Sequence, residues 1–147
     1  MDYFITDTLK EDILQIFSLE KSSFSDFFSE KQLNEMLDLN YCIFRTLKIN
    51  NIIKGYLILY LVENECEIIR ICISEDIRKQ GYWSILLKNV INGLKEKNTA
   101  KIFLEVRESN NSAIKLYEKM DFIIIGKRKS YYQNPCEDAI LMAKSLI

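Results

Sequence analysis

Apolar residues recur along the chain with two different periods, and each change of period predicts a change between strand and helix. Runs rich in β-branched and aromatic residues, typical of strands, cover residues 3–6, 41–49, 52–62, 65–73, 101–106, 122–132 and 139–143. Apolar spacing of three and four residues, typical of helices with one buried face, covers residues 9–17, 29–37, 83–94 and 112–120. The predicted order is therefore βααβββαβαββ.

Local signals at the element ends support this order. Ser29 and Gln32 have the spacing of a capping box, which predicts the start of a short helix. Asn50-Asn51 separates two strand-like runs and predicts a β-hairpin, because asparagine tolerates the left-handed conformation that tight hairpin turns need. The polar pair Glu63-Asn64 then leads into a third strand, so three consecutive strands should form an antiparallel meander.

Composition limits the classes of function. A chain of 147 residues with 48% hydrophobic and 28% charged residues is expected to form one domain, residues 1–147. A net charge of -1 gives no overall attraction to nucleic acid. No apolar run is long enough to span a membrane and no signal peptide is recognisable, so we expect a cytoplasmic protein without a membrane partner.

Histidine and paired cysteines are missing from the sequence. The four cysteines form no CxxC pair, so we expect them to act as small buried apolar residues, and we expect neither a disulfide nor a metal site. The absence of histidine removes the usual general base and every Ser-His or Cys-His arrangement. Proton transfer would have to use a carboxylate, tyrosine, lysine, cysteine or water.

The loop before the third predicted helix combines cations with a glycine. It comprises Arg78, Lys79, Gln80, Gly81, Tyr82, Trp83 and Ser84. The free N–H groups of a helix start and the positive end of its dipole attract anions, and glycine lets a ligand approach the backbone closely. A pyrophosphate group suits this chemistry. The alternative is a solvated loop with no ligand, in which Trp83 serves only for packing.

Strand alternation separates Glu105 from its apolar neighbours. Ile102, Leu104 and Val106 should share one face of their strand, and Phe103 and Glu105 the other. If that second face is partly buried, Glu105 becomes a better base near neutral pH. The alternative is a surface glutamate paired with Arg107 or a lysine.

Tyr117 lies on the apolar face of the following predicted helix. The face is shared by Ala113, Leu116, Tyr117 and Met120. On spacing alone Tyr117 is a core aromatic residue. Its hydroxyl also gives it a second possible use as a proton donor to a leaving group.

The C-terminal half of the chain contains a series of residues that together resemble a known family. They are Leu104-Glu105-Val106-Arg107, Ser109-Asn110, Ala113, Leu116-Tyr117-Glu118, Phe122, Gly126, Arg128, Tyr131-Tyr132, Asp138-Ala139 and Met142. From about Ile71 to the C-terminus the chain resembles the GNAT acetyltransferases, specifically the RimI-like enzymes that acetylate N-terminal alanine of ribosomal proteins. The resemblance implies a GNAT fold of α/β (α+β) class, with a mixed central sheet of about seven strands and four flanking helices.

The resemblance also implies roles for individual residues. Glu105 would accept a proton from the amine, and Tyr117 would donate one to the thiolate of coenzyme A. Acetyl-CoA would be bound by three groups of residues: the strand Ile71, Cys72 and Ile73, the loop from Lys79 to Ser84, and Asn110. Tyr131, Tyr132 and Asp138 would lie near the entrance for the acceptor. No metal is implied.

Three positions differ from the family pattern, and two other functions remain open. Trp83 replaces a small residue of the phosphate loop, Glu75 a frequent proline, and Asp121 a glycine after the helix. The leading hypothesis is direct acetyl transfer to a protein N-terminus, with a ribosomal protein as the first candidate. The first alternative is a small-molecule amine as acceptor. The second, motivated by Trp83, is a non-catalytic domain that binds acyl-CoA or a partner.

Overall fold

The computed structural model describes residues 2–147, which form seven strands and four α-helices in the predicted order. The strands are β1 (Tyr3–Asp7), β2 (Cys42–Ile49), β3 (Ile52–Val62), β4 (Glu65–Ile73), β5 (Lys101–Arg107), β6 (Ile123–Tyr132) and β7 (Glu137–Ser145). The helices are α1 (Ile13–Ser23), α2 (Glu30–Leu37), α3 (Tyr82–Glu96) and α4 (Asn111–Lys119). Short 3-10 turns cover Lys10–Asp12 and Glu75–Ile77.

The predicted capping box and hairpin are both confirmed. The Gln32 N–H donates to Ser29 Oγ at 3.1 Å, and the Ser29 N–H donates to Gln32 Oε1 at 2.8 Å. Asn50 and Asn51 have φ of 53° and 65°, the left-handed values that a two-residue hairpin turn requires. Asp121, where the resemblance implied a glycine, also adopts a left-handed φ of 69°.

The first helix begins later than its apolar spacing predicted. Leu9 precedes the helix and is exposed, because residues Lys10–Asp12 form a 3-10 turn before α1 starts at Ile13. The Leu9 N–H donates to Asp12 Oδ2 at 2.9 Å, which fixes this turn.

All strands belong to one sheet, in the order β1-β2-β3-β4-β5-β7-β6. Neighbouring strands are antiparallel except β4 and β5, which are parallel. This parallel pair is formed only at Glu65–Lys101, Cys66–Ile102 and Glu67–Phe103. Beyond Glu67 the two strands diverge, so the sheet is open at its centre towards the carboxyl end of β4.

The helices pack on opposite faces of the sheet and create two cores. Leu86, Leu87 and Val90 of α3 pack with the buried β5 residues Ile102, Leu104 and Val106. Ile13 and Ile16 of α1 and Leu33 of α2 pack on the other face, against Phe44, Tyr56 and Cys72. The predicted alternation of β5 is confirmed, and Glu105 therefore lies on the same face as α1 and α2.

The four cysteines are free, with Cys66 and Cys72 buried, Cys42 half-buried and Cys136 exposed between β6 and β7. Cys136 therefore differs from the small buried residue expected of it. Within residues 2–147, no helix is both long enough and apolar enough to cross a bilayer.

Candidate active site

The carboxyl-terminal half of β4 borders the opening in the sheet. Ile71, Cys72 and Ile73 pair only with β3 within residues 2–147, opposite Leu57, Tyr56 and Gly55 respectively. The edge of β4 that faces β5 is therefore left for another extended backbone or an amide-containing ligand. Such a ligand would resemble an added strand, which suits the amide-rich pantetheine arm of acetyl-CoA.

The start of α3 lies next to this edge and is suited to an anion. Lys79 and Gly81 have left-handed φ values of 63° and 88°, and α3 begins directly afterwards. No side chain of residues 2–147 caps this helix, in contrast to α2 and α4, and a Cβ placed on Gly81 would meet nothing within 4 Å. The first-turn N–H groups of Tyr82, Trp83 and Ser84 are therefore open to a pyrophosphate.

The two cations of the loop have different surroundings. Arg78 Nε donates to the carbonyl oxygen of Ile73 at 2.9 Å, so its guanidinium braces the end of β4. Lys79 and its neighbour Gln80 are exposed, and Lys79 is the cation that can move towards a phosphate. Arg78 is exposed as well, but its hydrogen bond to Ile73 holds it at the end of β4.

The aromatic residues at the start of α3 pack against neighbouring elements. The Tyr82 ring lies 6.1 Å from that of Tyr3 in an edge arrangement. The Trp83 ring lies 4.8 Å from the Tyr117 ring, also edge to face, and joins the core on that side of the sheet. The indole is thus engaged with α4, as the packing interpretation of Trp83 predicted.

Tyr117 is a core aromatic residue and is also placed beside the opening. It is 5% exposed, and its ring contacts Phe122 at 5.3 Å as well as Trp83. Burial, and then the neighbouring Tyr132, raise the pKa of the Tyr117 phenol above its usual value. The hydroxyl therefore keeps its proton at neutral pH, as a proton donor must before the reaction.

Glu105 lies on the opposite face of the sheet from Tyr117. Its side chain is 18% exposed, and its Oε1 is 3.5 Å from Nε of Arg128 on β6. A hydrogen bond with Glu105, followed by burial, raises the pKa of Tyr131. The alternative of a surface glutamate paired with Arg107 or a lysine is not what the structure has, since Arg107 pairs with Glu137 at 3.3 Å. The surroundings of Glu105 are accordingly polar.

Tyr132 interacts electrostatically with both candidate catalytic residues. Burial, then the charge of Glu105, raise the pKa of Tyr132 to about 12. Tyr132 in turn contributes, after burial, to the raised pKa of Tyr117. Its ring is fixed on one side by Tyr131, at 5.1 Å, and on the other by Arg107, whose Cζ is 4.5 Å from the ring centre.

Asn110 and Asp138 have structural hydrogen bonds at the edge of this region. Asn110 Oδ1 accepts from the Ala113 N–H at 3.3 Å and caps α4. Asp138 Oδ1 accepts from the Ser130 N–H at 2.8 Å, where Ser130 has a left-handed φ of 53°. Asp138 therefore supports an irregular part of β6, close to Tyr131 in the chain.

A buried charged cluster next to the site, centred on Glu20, was not predicted from the sequence. Glu20 on α1 is 0% exposed and accepts hydrogen bonds from Tyr56 and Arg70. One signal was available, because Glu20 continues the buried spacing of Ile13 and Ile16 on α1. A charged residue at a core position of a helix points to a buried partner.

No group of three or more His, Cys, Asp or Glu residues in the described chain, residues 2–147, is arranged to hold a metal ion.

The open parallel strand pair and the uncapped start of α3 are the features expected of the acetyltransferase fold that the sequence resembles. The chain belongs to the acetyltransferase (GNAT) family, whose model matches residues 11–122. It is 31% identical over 134 residues to the ribosomal protein bS18-alanine N-acetyltransferase of Escherichia coli (strain K12), covering 90% of each chain.

Solved structures agree with this assignment. The crystal structure of the ribosomal-protein-S18-alanine N-acetyltransferase from Escherichia coli superposes with a TM-score of 0.93 at 28% identity, covering 99% of this chain and 94% of that one. The PaiA N-acetyltransferase from Thermoplasma acidophilum, solved in complex with coenzyme A, has a TM-score of 0.81 at 16% identity over 99% of both chains. The predicted GNAT fold and acyltransferase class are confirmed.

Proposed function

We propose that this enzyme transfers the acetyl group of acetyl-CoA to the N-terminal alanine of ribosomal protein bS18. The observation that carries the proposal is the opening between β4 and β5, with Glu105 on one side and Tyr117 on the other. The acceptor is inferred from the relative in Escherichia coli, which matches nearly the whole chain and is named for this substrate.

Two regions would hold acetyl-CoA. The free edge of β4 at Ile71, Cys72 and Ile73 would pair with the pantetheine arm, and the loop from Arg78 to Ser84 would bind the pyrophosphate at the start of α3. Asn110 would contribute from the start of α4. Bound acetyl-CoA supplies a thioester carbonyl as the electrophile.

Glu105 acts as the base. An ammonium group has no lone pair, so the acceptor must lose a proton before its nitrogen can attack. A carboxylate oxygen of Glu105 takes this proton directly or through water. Arg128 has to leave Glu105 as the amine arrives, and this costs little because its side chain is 58% exposed.

Tyr117 acts as the acid. As the new N–C bond forms, the nitrogen releases its second proton to water. As the C–S bond breaks, the Tyr117 hydroxyl gives its proton to the departing sulfur, and the phenol regains a proton from solvent. The raised pKa of this phenol keeps it protonated until the C–S bond breaks. Tyr131 and Tyr132 line the acceptor side, and Asp138 supports the strand that carries Tyr131.

Cofactor binding is tested first, by titrating the protein with acetyl-CoA and following the fluorescence of Trp83, the only tryptophan. We expect the emission to change, because Trp83 lies in the first turn of α3 where the pyrophosphate should bind. Unchanged emission together with silent calorimetry would contradict cofactor binding.

Transfer is tested with a bS18 N-terminal peptide beginning with alanine, the same peptide with a blocked N-terminus, and a panel of small amines. We expect acetylation of the first peptide only. Glu105→Gln and Tyr117→Phe should each lower kcat about 100-fold or more. The control is Glu108→Gln, an exposed glutamate paired with Lys127, which should leave kcat unchanged. Turnover of small amines alone would favour the small-molecule alternative, and binding without any turnover would favour a non-catalytic acyl-CoA domain.

A further inference from the structure

A fully buried carboxylate lies on α1 beside the proposed site. Glu20 is 0% exposed and accepts four hydrogen bonds: from Tyr56 Oη at 2.6 Å, from Arg70 Nε at 3.1 Å and Nη2 at 2.7 Å, and from the Phe28 N–H at 2.7 Å. Buried ion pairs of this kind often add little stability over an apolar pair of similar volume. The burial of Glu20 therefore needs an explanation other than a contribution to stability.

Arg70, the partner of Glu20, holds the segment that connects α1 to α2. Its Cζ lies 4.0 Å from the centre of the Phe24 ring and 4.5 Å from that of Phe28. Its Nη2 donates to the carbonyl oxygen of Asp26 at 3.1 Å, and its Nη1 is 3.7 Å from the Asp26 carboxylate. One guanidinium thus fixes this segment, residues 24–29, at both ends and in its middle.

The position of Arg70 in the sheet relates this contact to the opening. Arg70 lies on β4 beyond Glu67, the last residue that pairs with β5. Residues 24–29 consequently cover the same face of the sheet on which Glu105 lies. The charge of Asp26 is a smaller contributor to the raised pKa of Tyr132, after burial, Glu105 and Tyr131, so Asp26 and Tyr132 interact electrostatically.

Arg107 makes a corresponding set of contacts from β5. It donates to the carbonyl oxygens of Gln133 and Pro135, both at 3.1 Å, and its guanidinium lies over the Tyr132 ring. These contacts fix residues 132–136, the turn between β6 and β7. Each of the diverging strands therefore carries an arginine that combines ring stacking with hydrogen bonds to loop carbonyls, which lysine cannot reproduce.

We propose that Arg70 and Arg107 are positioning residues that hold the two walls of the acceptor cleft, residues 24–29 and residues 132–136, on the diverging strands β4 and β5. Glu20 is buried because it orients the Arg70 guanidinium, as its paired contacts to Nε and Nη2 require. Neither arginine touches the reacting atoms. Both act by fixing the side chains and backbone between which the acceptor's N-terminal residues lie.

The kinetic arm of the test rests on the proposed acetyl transfer and uses the intact chain. Arg70→Lys and Arg107→Lys should each raise the KM for the bS18 peptide about tenfold or more, because loosened walls misplace the acceptor. The KM for acetyl-CoA should stay unchanged. The control is Arg45→Lys, since Arg45 pairs with Asp7 at 2.7 Å at the far side of the sheet and should affect neither constant. A peptide KM unaffected by both cleft substitutions would overturn the proposal.

A second arm does not depend on turnover. Amide hydrogen exchange should become faster at residues 24–29 in Arg70→Lys and at residues 132–136 in Arg107→Lys, each without a change at the other wall. Uniform acceleration across the chain would instead show a general stabilising role and contradict the proposal. If wild-type protein acetylates no amine, the proposed function fails while the exchange result still decides whether the arginines hold these segments.

A combined substitution covers the case in which Arg70→Lys does not fold. Glu20→Met and Arg70→Met, combined with Tyr56→Phe, remove both charges and the tyrosine hydroxyl that would lose its acceptor, and keep similar volume, so the fold should persist. The same local increase in exchange and the same rise in peptide KM are expected, and wild-type values for both would refute the positioning role.

Discussion

Replacing Tyr117 by phenylalanine separates the chemical role of this residue from its role in packing. The phenylalanine ring keeps the contacts with Trp83 and Phe122, at 4.8 and 5.3 Å between ring centres, and only the hydroxyl is lost. The free energy of unfolding should therefore change by about 1 kcal/mol or less. If Tyr117 is the acid, kcat should fall about 100-fold, which corresponds to about 2.7 kcal/mol of transition-state stabilisation.

Tyr117→Ala removes the packing of the ring as well as the hydroxyl. Removing a buried ring and its two aromatic contacts should cost about 3–5 kcal/mol of stability, a large part of the roughly 5–15 kcal/mol that holds a domain of this kind together. Urea unfolding measures stability for both variants, and acetylation of the bS18 peptide measures kcat. The pair therefore distinguishes a proton donor from a core residue.

The pH dependence provides an independent check. The raised pKa keeps the Tyr117 phenol protonated throughout the neutral range. The ratio of wild-type to Tyr117→Phe rates should consequently stay constant from about pH 6 to 9, since no titration of this group occurs there. A kcat for Tyr117→Phe close to that of the wild type, at any pH in this range, would refute the assigned role.

Two further predictions concern stability. Gly55→Ala should destabilise the fold by about 1–3 kcal/mol in urea, because the new Cβ would lie 2.9 Å from the Cys72 carbonyl oxygen on β4. Gly93→Ala is the control, since its Cβ would meet nothing within 4 Å and alanine favours the helix, so stability should rise or stay constant. A hydrogen bond from Ser109 holds the pKa of Glu137 below its usual value of 4.5. Its contribution is present above that pH and is lost in acid, so the stability difference between wild type and Glu137→Gln should shrink as the pH falls below 4.5; a constant difference would contradict this.

The sequence alone determined the elements and the faces on which the candidate catalytic residues lie. Capping at Ser29 and the Asn50-Asn51 turn depend on residues within a few positions of one another, so local patterns were sufficient to predict them. Alternation in β5 likewise placed Glu105 opposite its apolar neighbours. The residues from Leu104 onward also identified the family, which the matching model confirms.

Only the tertiary structure decided what each of these groups contacts. Arg128 on β6 reaches across β7 to Glu105 on β5. This contact depends on the strand order β5-β7-β6, which cannot be predicted from local sequence patterns. The edge contact between Trp83 and Tyr117 likewise depends on how α3 and α4 pack. Arg70 and Glu20 are 50 residues apart in the chain, and their contact exists only because α1 packs on β4 where that strand leaves β5. Periodicity records which side of an element is buried, whereas these partners follow from strand order and helix packing.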